Sequence, residues 1–375
     1  MIAFFLPNGI GDTLMAIPAL RRLAAVEGAN ALTVVISSKL HRPLLTKFVG
    51  EKIRTIERYD GKPFPHVRLF LKLLFSRAKV IYAPMLSRKP MHLLFFLLMG
   101  KKVVVPRGFL GRNLLGLVRS RASLETFPGH QVNFFVQFLA EQDPRVDAAP
   151  VDPGELSLPR PEPVPPVDHA LPRRFRVALG ISCGGLERHK VPTAGTFAKL
   201  INAIEKRIPV HTVLIGIPSD LPLIEAFMAE MDHPEHVEKV IGLPLEDLFR
   251  ELQTCDLGIS GTTGQGHIMA VAGLPMLVVA GVTEPFESGP YTRRGADLRH
   301  RLACGPCYQE GYRSGCGAIQ CMETLDLEEG AELAYKLLMD PEFGLDWQAR
   351  NLKRFPVLIE SIKGIHAVLP EVPGK

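Results

Sequence analysis

Short runs rich in valine and isoleucine recur along this chain with segments of helical length between them, and this alternation constrains the fold more than any other feature. In the first half the runs are IAFFL (2–6), ALTVVIS (31–37), KVIYAP (79–84) and KKVVVP (101–106). In the second half they are FRVALGIS (175–182), VHTVLIGI (210–217), CDLGIS (255–260) and PMLVVAGV (275–282). Strands of this composition, each followed by room for a helix, belong to parallel sheets covered on both faces.

The two series are divided by AAPVDPGELSLPRPEPVPPVDHALPRR (148–174), which is dense in proline, lacks apolar periodicity and has the composition of a semi-rigid linker. With 375 residues, 46% of them hydrophobic, the chain can fill two cores. The expectation is an α/β protein of two Rossmann-like, doubly wound domains facing each other across a cleft, with the boundary near residue 165. Residues 1–165 form the first domain plus linker, and 166–345 form the second. Helical segments in 346–375, interrupted by Pro356, fold back on the first.

Charge divides the chain in the same way. Residues 1–150 hold 22 Lys+Arg against 9 Asp+Glu, a net +13; the remainder is −8, giving the total of +5. A basic domain favours anionic partners such as nucleic acid, phospholipid headgroups or an acidic glycolipid. No N-terminal signal peptide is read, because IAFFLPNGIGD lacks a basic leader and is broken by Pro7, Gly9 and Gly11. The longest later apolar run, LLFFLLM (93–99), falls well short of the ~20 residues of a membrane span. A soluble, cytoplasmic protein is expected.

Three stretches carry chemistry. NGIGDTLMAIPAL (8–20) places Asn8, Gly9, Gly11 and Asp12 where a strand gives way to a helix. Such a turn ordinarily cradles phosphate, so its carboxylate needs a reason: Asp12 is either a helix N-cap or a proton acceptor. GISGTTGQGHIMAVAGLP (258–275) brings glycines at 261, 264 and 266 and the hydroxyls of Thr262 and Thr263 to a helix start. That is either a diphosphate site or a tight turn, and His267 bonds either a phosphate or a backbone carbonyl. SCGGLERHKVP (182–192) follows a strand with Arg188, His189 and Lys190, cations that suit a phosphate or are simply solvated. The donor-side candidates are therefore Ser182, Arg188, His189, Lys190, Gly216, Thr262, Thr263, Gly264 and His267.

Four of the six cysteines lie in C-x2-C-x8-C-x4-C at Cys304, Cys307, Cys316 and Cys321. In a reducing compartment this pattern points to a closed structural zinc or iron site, with four metal-free thiols as the alternative. Cys183 and Cys255 read as ordinary small apolar or loop residues.

Together GIGDTLMAIPALRRL, GTTGQGHIMAVAGLP, VTEPFESGP (282–290) and the cysteine set resemble glycosyltransferase family 9, the heptosyltransferases of lipopolysaccharide core assembly. The resemblance spans nearly the whole chain and is strongest at 6–23 and 255–322. It implies a GT-B fold, an N-terminal acceptor domain, and a C-terminal domain binding a nucleotide-activated sugar, typically ADP-heptose. It further implies Asp12 as general base, inversion at the sugar and no catalytic metal. Asp12 then has its reason, since a sugar hydroxyl is a poor nucleophile until a base takes its proton. Two positions depart from the family pattern. Thr262 stands where many members have Asp, and Val191 stands where they have Trp, with Pro192 aligning His189 to the family's basic residue.

Other classes fit less well. A sugar-nucleotide epimerase or dehydrogenase would want G-x-G-x-x-G after the first strand and an acidic residue ~20 positions on, which is missing. A non-catalytic nucleotide-binding or regulatory protein remains the other alternative. Nucleic acid is not the expected partner, because the positive half lacks the cysteine cluster and few aromatics interleave with its cations. The basic first domain and PMHLLFFLLMGKK (90–102) fit an anionic glycolipid or glycan acceptor at the inner membrane face, although that segment reads equally as a buried helix.

Overall fold

The computed structural model of the protein describes residues 1–6, 9–58, 64–85, 100–106, 117–119, 127, 129–160, 174–184, 188–302, 306–307, 319–345 and 347. Contacts divide the chain into two bodies. The first holds Met1–Asn8 and Ala16–Val151; the second holds Gly9–Met15 and Asp152–Gln348.

Each body is built on six parallel strands. The first sheet comprises β1 (Ile2–Phe5), β2 (Leu32–Ile36), β3 (Arg54–Glu57), β4 (Val80–Tyr82), β5 (Lys102–Val105) and β6 (Leu117–Arg119), in the order β3-β2-β1-β4-β5-β6. Register sets Phe4 between Val34 and Tyr82. The second comprises β7 (Phe175–Gly180), β8 (Val210–Gly216), β9 (Val237–Ile241), β10 (Leu257–Ser260), β11 (Met276–Val279) and β12 (Gly295–Leu298), in the order β12-β11-β10-β7-β8-β9. Gly180 pairs with Ser260, so β7 and β10 end side by side. All eight apolar runs read from the sequence are strands, and in both sheets they occupy the four central places.

The strands β1, β2, β10 and β11 are buried end to end, as sheets covered on both faces require. In the first body the helix Gln131–Ala140 lays Phe135 against Phe4 and Phe138 against Tyr82, with ring centroids 6.4 and 6.3 Å apart, and Phe134 packs against Phe135 and Phe138 at 5.7 and 5.9 Å. Each of these phenylalanines is fully buried, and truncating one to alanine would cost about 3–5 kcal/mol. In the second body Phe197 and Ile201 of the helix Ala194–Glu205 join Leu179, Leu214, Leu257 and Leu277 in one core.

The proline-rich stretch belongs to the first body up to Val151 and is fastened to the second from Asp152 to residue 160. Asp152 and Glu155 form a reciprocal cap, the Leu158 N–H donates to the Val271 carbonyl at 2.6 Å, and Arg160 donates to the Cys255 carbonyl. Residues 161–173 lie outside the described residues. So do 348–375, which hold most of the C-terminal segment; Trp347 is buried within the second body beside Gly295. Among the described residues no helix is long and apolar enough to cross a membrane, and the apolar part of 90–102 falls outside them.

Candidate functional site

The glycine turn at 261–264 follows β10. Ser260 ends the strand, and the helix Gly264–Val271 begins after Thr263, an N-cap residue with extended backbone (φ −126, ψ 170) whose side chain makes no capping bond. The first N–H groups of that helix therefore have no capping side chain, and with the helix dipole they present positive potential at the strand's carboxyl end. The hydroxyls around them are bonded inward. Thr262 Oγ1 lies 2.6 Å from Thr283 Oγ1, and Thr263 Oγ1 lies 3.2 Å from Ser260 Oγ, all four residues being buried. They fix the shape of the turn and leave backbone amides as its anion donors.

Gln265 ties this helix to the neighbouring strand ends. Its Oε1 accepts from the Ser182 N–H at 3.1 Å, and its Nε2 donates to the Ile215 carbonyl at 3.2 Å. The Ser182 hydroxyl donates to Asp220 Oδ2 at 3.0 Å, and the same oxygen accepts from the Ile217 N–H at 2.9 Å. Gly216 closes β8, and its carbonyl accepts from the Gly242 N–H at 2.9 Å. Ser182 and Gly216 thus stand at the carboxyl ends of adjacent strands, where open parallel sheets bind their ligands. Gln265, Asp220 and Thr283 were not among the candidates from sequence. Gln265 lay inside the glycine turn and Asp220 just past a strand end, so position was the signal that could have found them.

The basic loop packs against the same turn. Arg188–Lys190 form one 3-10 turn, with the Arg188 side chain outside the described residues, and His189 and Lys190 are half-buried. A Cβ on Gly261 would lie 2.5 Å from the Lys190 carbonyl oxygen and 2.8 Å from Val191 Cγ1. Only glycine permits this approach. Val191 is buried in the second core.

The N-terminal motif reaches this site through the part of it that belongs to the second body, Gly9–Met15. The helix begins at Ile10, three residues earlier than an N-cap role for Asp12 would require. Asp12 is therefore not the N-cap. It is the third helical residue, and its Oδ2 accepts from the N–H of Gly9 at 3.1 Å, one arm of a capping box. A Cβ on Gly11 would lie 2.6 Å from His267 Cδ2, and one on Gly264 would lie 2.5 Å from Ile10 Cγ2. The first turn of one helix thus abuts the first turn of the other. Asp12 is half-buried there and His267 buried; Asn8 lies outside the described residues.

Cys304 and Cys316 also lie outside the described residues. Cys307 and Cys321 are buried and converge on neighbouring residues after β11: the Cys307 N–H donates to the Val282 carbonyl at 3.0 Å, and a Cβ on Gly281 would meet Cys321 Sγ at 2.7 Å. In the same loop, burial and then the charge of Glu284 hold the Glu287 carboxyl above the usual range.

No protein-family profile and no curated protein sequence matches the chain. Solved structures do. ADP-heptose lipopolysaccharide heptosyltransferase II of E. coli aligns with a TM-score of 0.61 at 16% identity, over 91% of this chain and 99% of that one. A family 9 glycosyl transferase from Veillonella parvula aligns with a TM-score of 0.63 at 16% identity, over 90% and 97%. The dodecameric iron-containing heptosyltransferase TibC of enterotoxigenic E. coli, solved in complex with ADP-D-β-D-heptose, aligns with a TM-score of 0.52 at 14% identity, over 90% and 76%. At such identities the likeness is one of fold, and the fold of this chain is the two-domain α/β GT-B fold of glycosyltransferases.

Proposed function

We propose that this protein is an inverting glycosyltransferase that moves a sugar from a nucleoside diphosphate donor, ADP-heptose, to a glycan of the lipopolysaccharide core. The observation that carries this reading is the abutment of the Asp12 turn on the start of the helix Gly264–Val271. It brings a carboxylate beside a ready anion site, and sugar transfer from a diphosphate needs both. The Asp12 carboxylate takes the proton of the acceptor hydroxyl as its oxygen attacks the anomeric carbon from the face opposite the leaving group. The bond from that carbon to the diphosphate breaks, and the electron pair leaves with the nucleotide. Helix amides and the cations of the 188–190 turn stabilise the charge that develops, so no catalytic metal is required.

The ADP-heptose named in two of the solved relatives supports the donor assignment. Four thiolates at Cys304, Cys307, Cys316 and Cys321 would hold zinc or iron in a closed structural site. The convergence of Cys307 and Cys321 and the iron-containing relative support that reading. The test of function is calorimetry with ADP, UDP and GDP followed by transfer from the matching nucleotide sugar. Heat with ADP above the others supports the reading, and no heat with any of the three overturns it.

A further inference from the structure

The helix Pro65–Leu74 is apolar on two opposite sides. Leu69 and Leu73 point into the first core. On the far side Phe64, Val67, Leu71 and Phe75 form a line at helical spacing, with relative exposures of 77, 46, 42 and 81%. This row, about 16 Å long at 1.5 Å per residue, is a concentration of exposed large apolar side chains of the kind that marks an interaction surface. Phe64 is also the one described non-glycine residue with a left-handed backbone (φ 53), a conformation bulky residues avoid and functional sites tolerate.

Charge identifies the occupant. Between Gly61 and Leu124 the chain carries 13 Lys+Arg and not one Asp or Glu. Lys72, Arg77, Lys79 and Lys102 of this run are exposed. Lys101 is used differently: its Nζ donates to the Leu73 and Ser76 carbonyls at 2.6 and 2.7 Å and fastens the helix's C-terminal end. Apolar side chains in line beside exposed cations are what an interfacial helix presents to an anionic bilayer, with the rings entering the acyl boundary and the cations meeting headgroups. A phosphate backbone alone would find no use for the apolar row.

We infer that this helix docks the protein onto an anionic phospholipid surface, with Phe64, Val67, Leu71 and Phe75 inserted and Lys72, Arg77 and Lys79 at the headgroups. The inference deepens the proposed function by giving an amphiphilic acceptor its surface, and it is tested without acceptor or donor. The full chain is centrifuged with vesicles of neutral phosphatidylcholine, with or without phosphatidylglycerol. Binding should require the anionic lipid and weaken with salt. Phe64→Ser with Phe75→Ser should reduce it at least about tenfold. Lys72→Gln with Arg77→Gln should reduce it about fivefold per cation. In a Phe75→Trp variant, added anionic vesicles should shift the emission of the new indole to the blue.

Wild-type protein that ignores anionic vesicles, or binding that survives the double serine variant, overturns the inference. So does a wild-type dimer that the serine pair converts to monomer, which would make the row a contact between copies. Retention on duplex DNA equal to that on vesicles and unaffected by the serine pair would assign the charge to nucleic acid instead. Nucleotide calorimetry on the serine variant separates the two readings, since ADP binding in the second body should be unchanged whether or not the vesicles bind.

Discussion

The ring of His267 fills the space that any side chain at position 11 would need, because a Cβ on Gly11 would lie 2.6 Å from its Cδ2. His267 is buried, so the first turn of the N-terminal helix meets the helix Gly264–Val271 through a glycine.

Gly11→Ala should therefore destabilise the protein. Overpacking costs about 1–3 kcal/mol, which the helix propensity gained on replacing glycine, about 0.5–1 kcal/mol, offsets only in part. Gly9→Ala is the comparison: its Cβ would have Asp12 Oδ2 as a neighbour at 3.6 Å, ordinary contact, so its cost should be confined to the poorer N-cap, about 0.5–1 kcal/mol. Urea denaturation of the two variants compares them.

Asp12→Asn separates the base from the cap. The amide oxygen keeps the bond from the Gly9 N–H, so stability should fall by less than ~1 kcal/mol. The proton acceptor is lost, so the transfer rate should fall roughly 10²–10⁴-fold with nucleotide affinity nearly unchanged. Full turnover in this variant would leave Asp12 as a cap alone.

Gln265→Ala strips the Ser182 N–H and the Ile215 carbonyl of their shared partner. Unpartnered polar groups of this kind cost about 1–3 kcal/mol. If the start of the helix Gly264–Val271 holds a nucleotide as proposed, affinity should fall with stability, because the same bonds hold this helix to the ends of β7 and β8. An affinity equal to wild type would show that the helix needs no such tie.

The strands missed in the sequence reading share a position. β3, β6, β9 and β12 are the outer strands of their sheets, and they read RTIE, LVR, VEKVI and GADL. Polar residues in each, Arg54 and Glu57, Arg119, Glu238 and Lys239, and Asp297, interrupt the apolar run that betrays an interior strand. The turn of the candidate site was legible because close packing needs glycine in sequence order, as at Gly261 and Gly264. Asp220 and Thr283 act across long separations, through bonds to Ser182 and Thr262. No local pattern records such pairings, and the extent of the helix at Ile10 turned on a capping bond that composition does not reveal.

Burial pushes the Cys255 thiol from its ordinary value of 9.0 up to about 12. The folded state then holds a proton that the unfolded chain releases sooner. The associated stability is complete below about pH 9 and is lost as pH rises toward 12. Cys255→Ala should flatten the alkaline limb of stability against pH. In the native protein at pH 8, Cys255 should escape iodoacetamide until denaturant is added, as peptide mass spectrometry would record.

Protein purified under reducing conditions without chelator should contain about one zinc or iron per chain. Cys321→Ala should lower that content and the melting temperature together. A metal-free preparation of normal stability would return the four cysteines to plain thiols.

Gly9–Met15 belong to the second body although β1, which precedes them, belongs to the first. During synthesis this sets an order of events. The first sheet has its strands once the ribosome passes residue 119, yet the Asp12 turn must wait for His267 and Gly264, about 250 residues downstream. At roughly 5–20 residues per second that wait lasts about 12–50 s. A ribosome-bound chain therefore carries its carboxylate long before the helix start that it packs against exists.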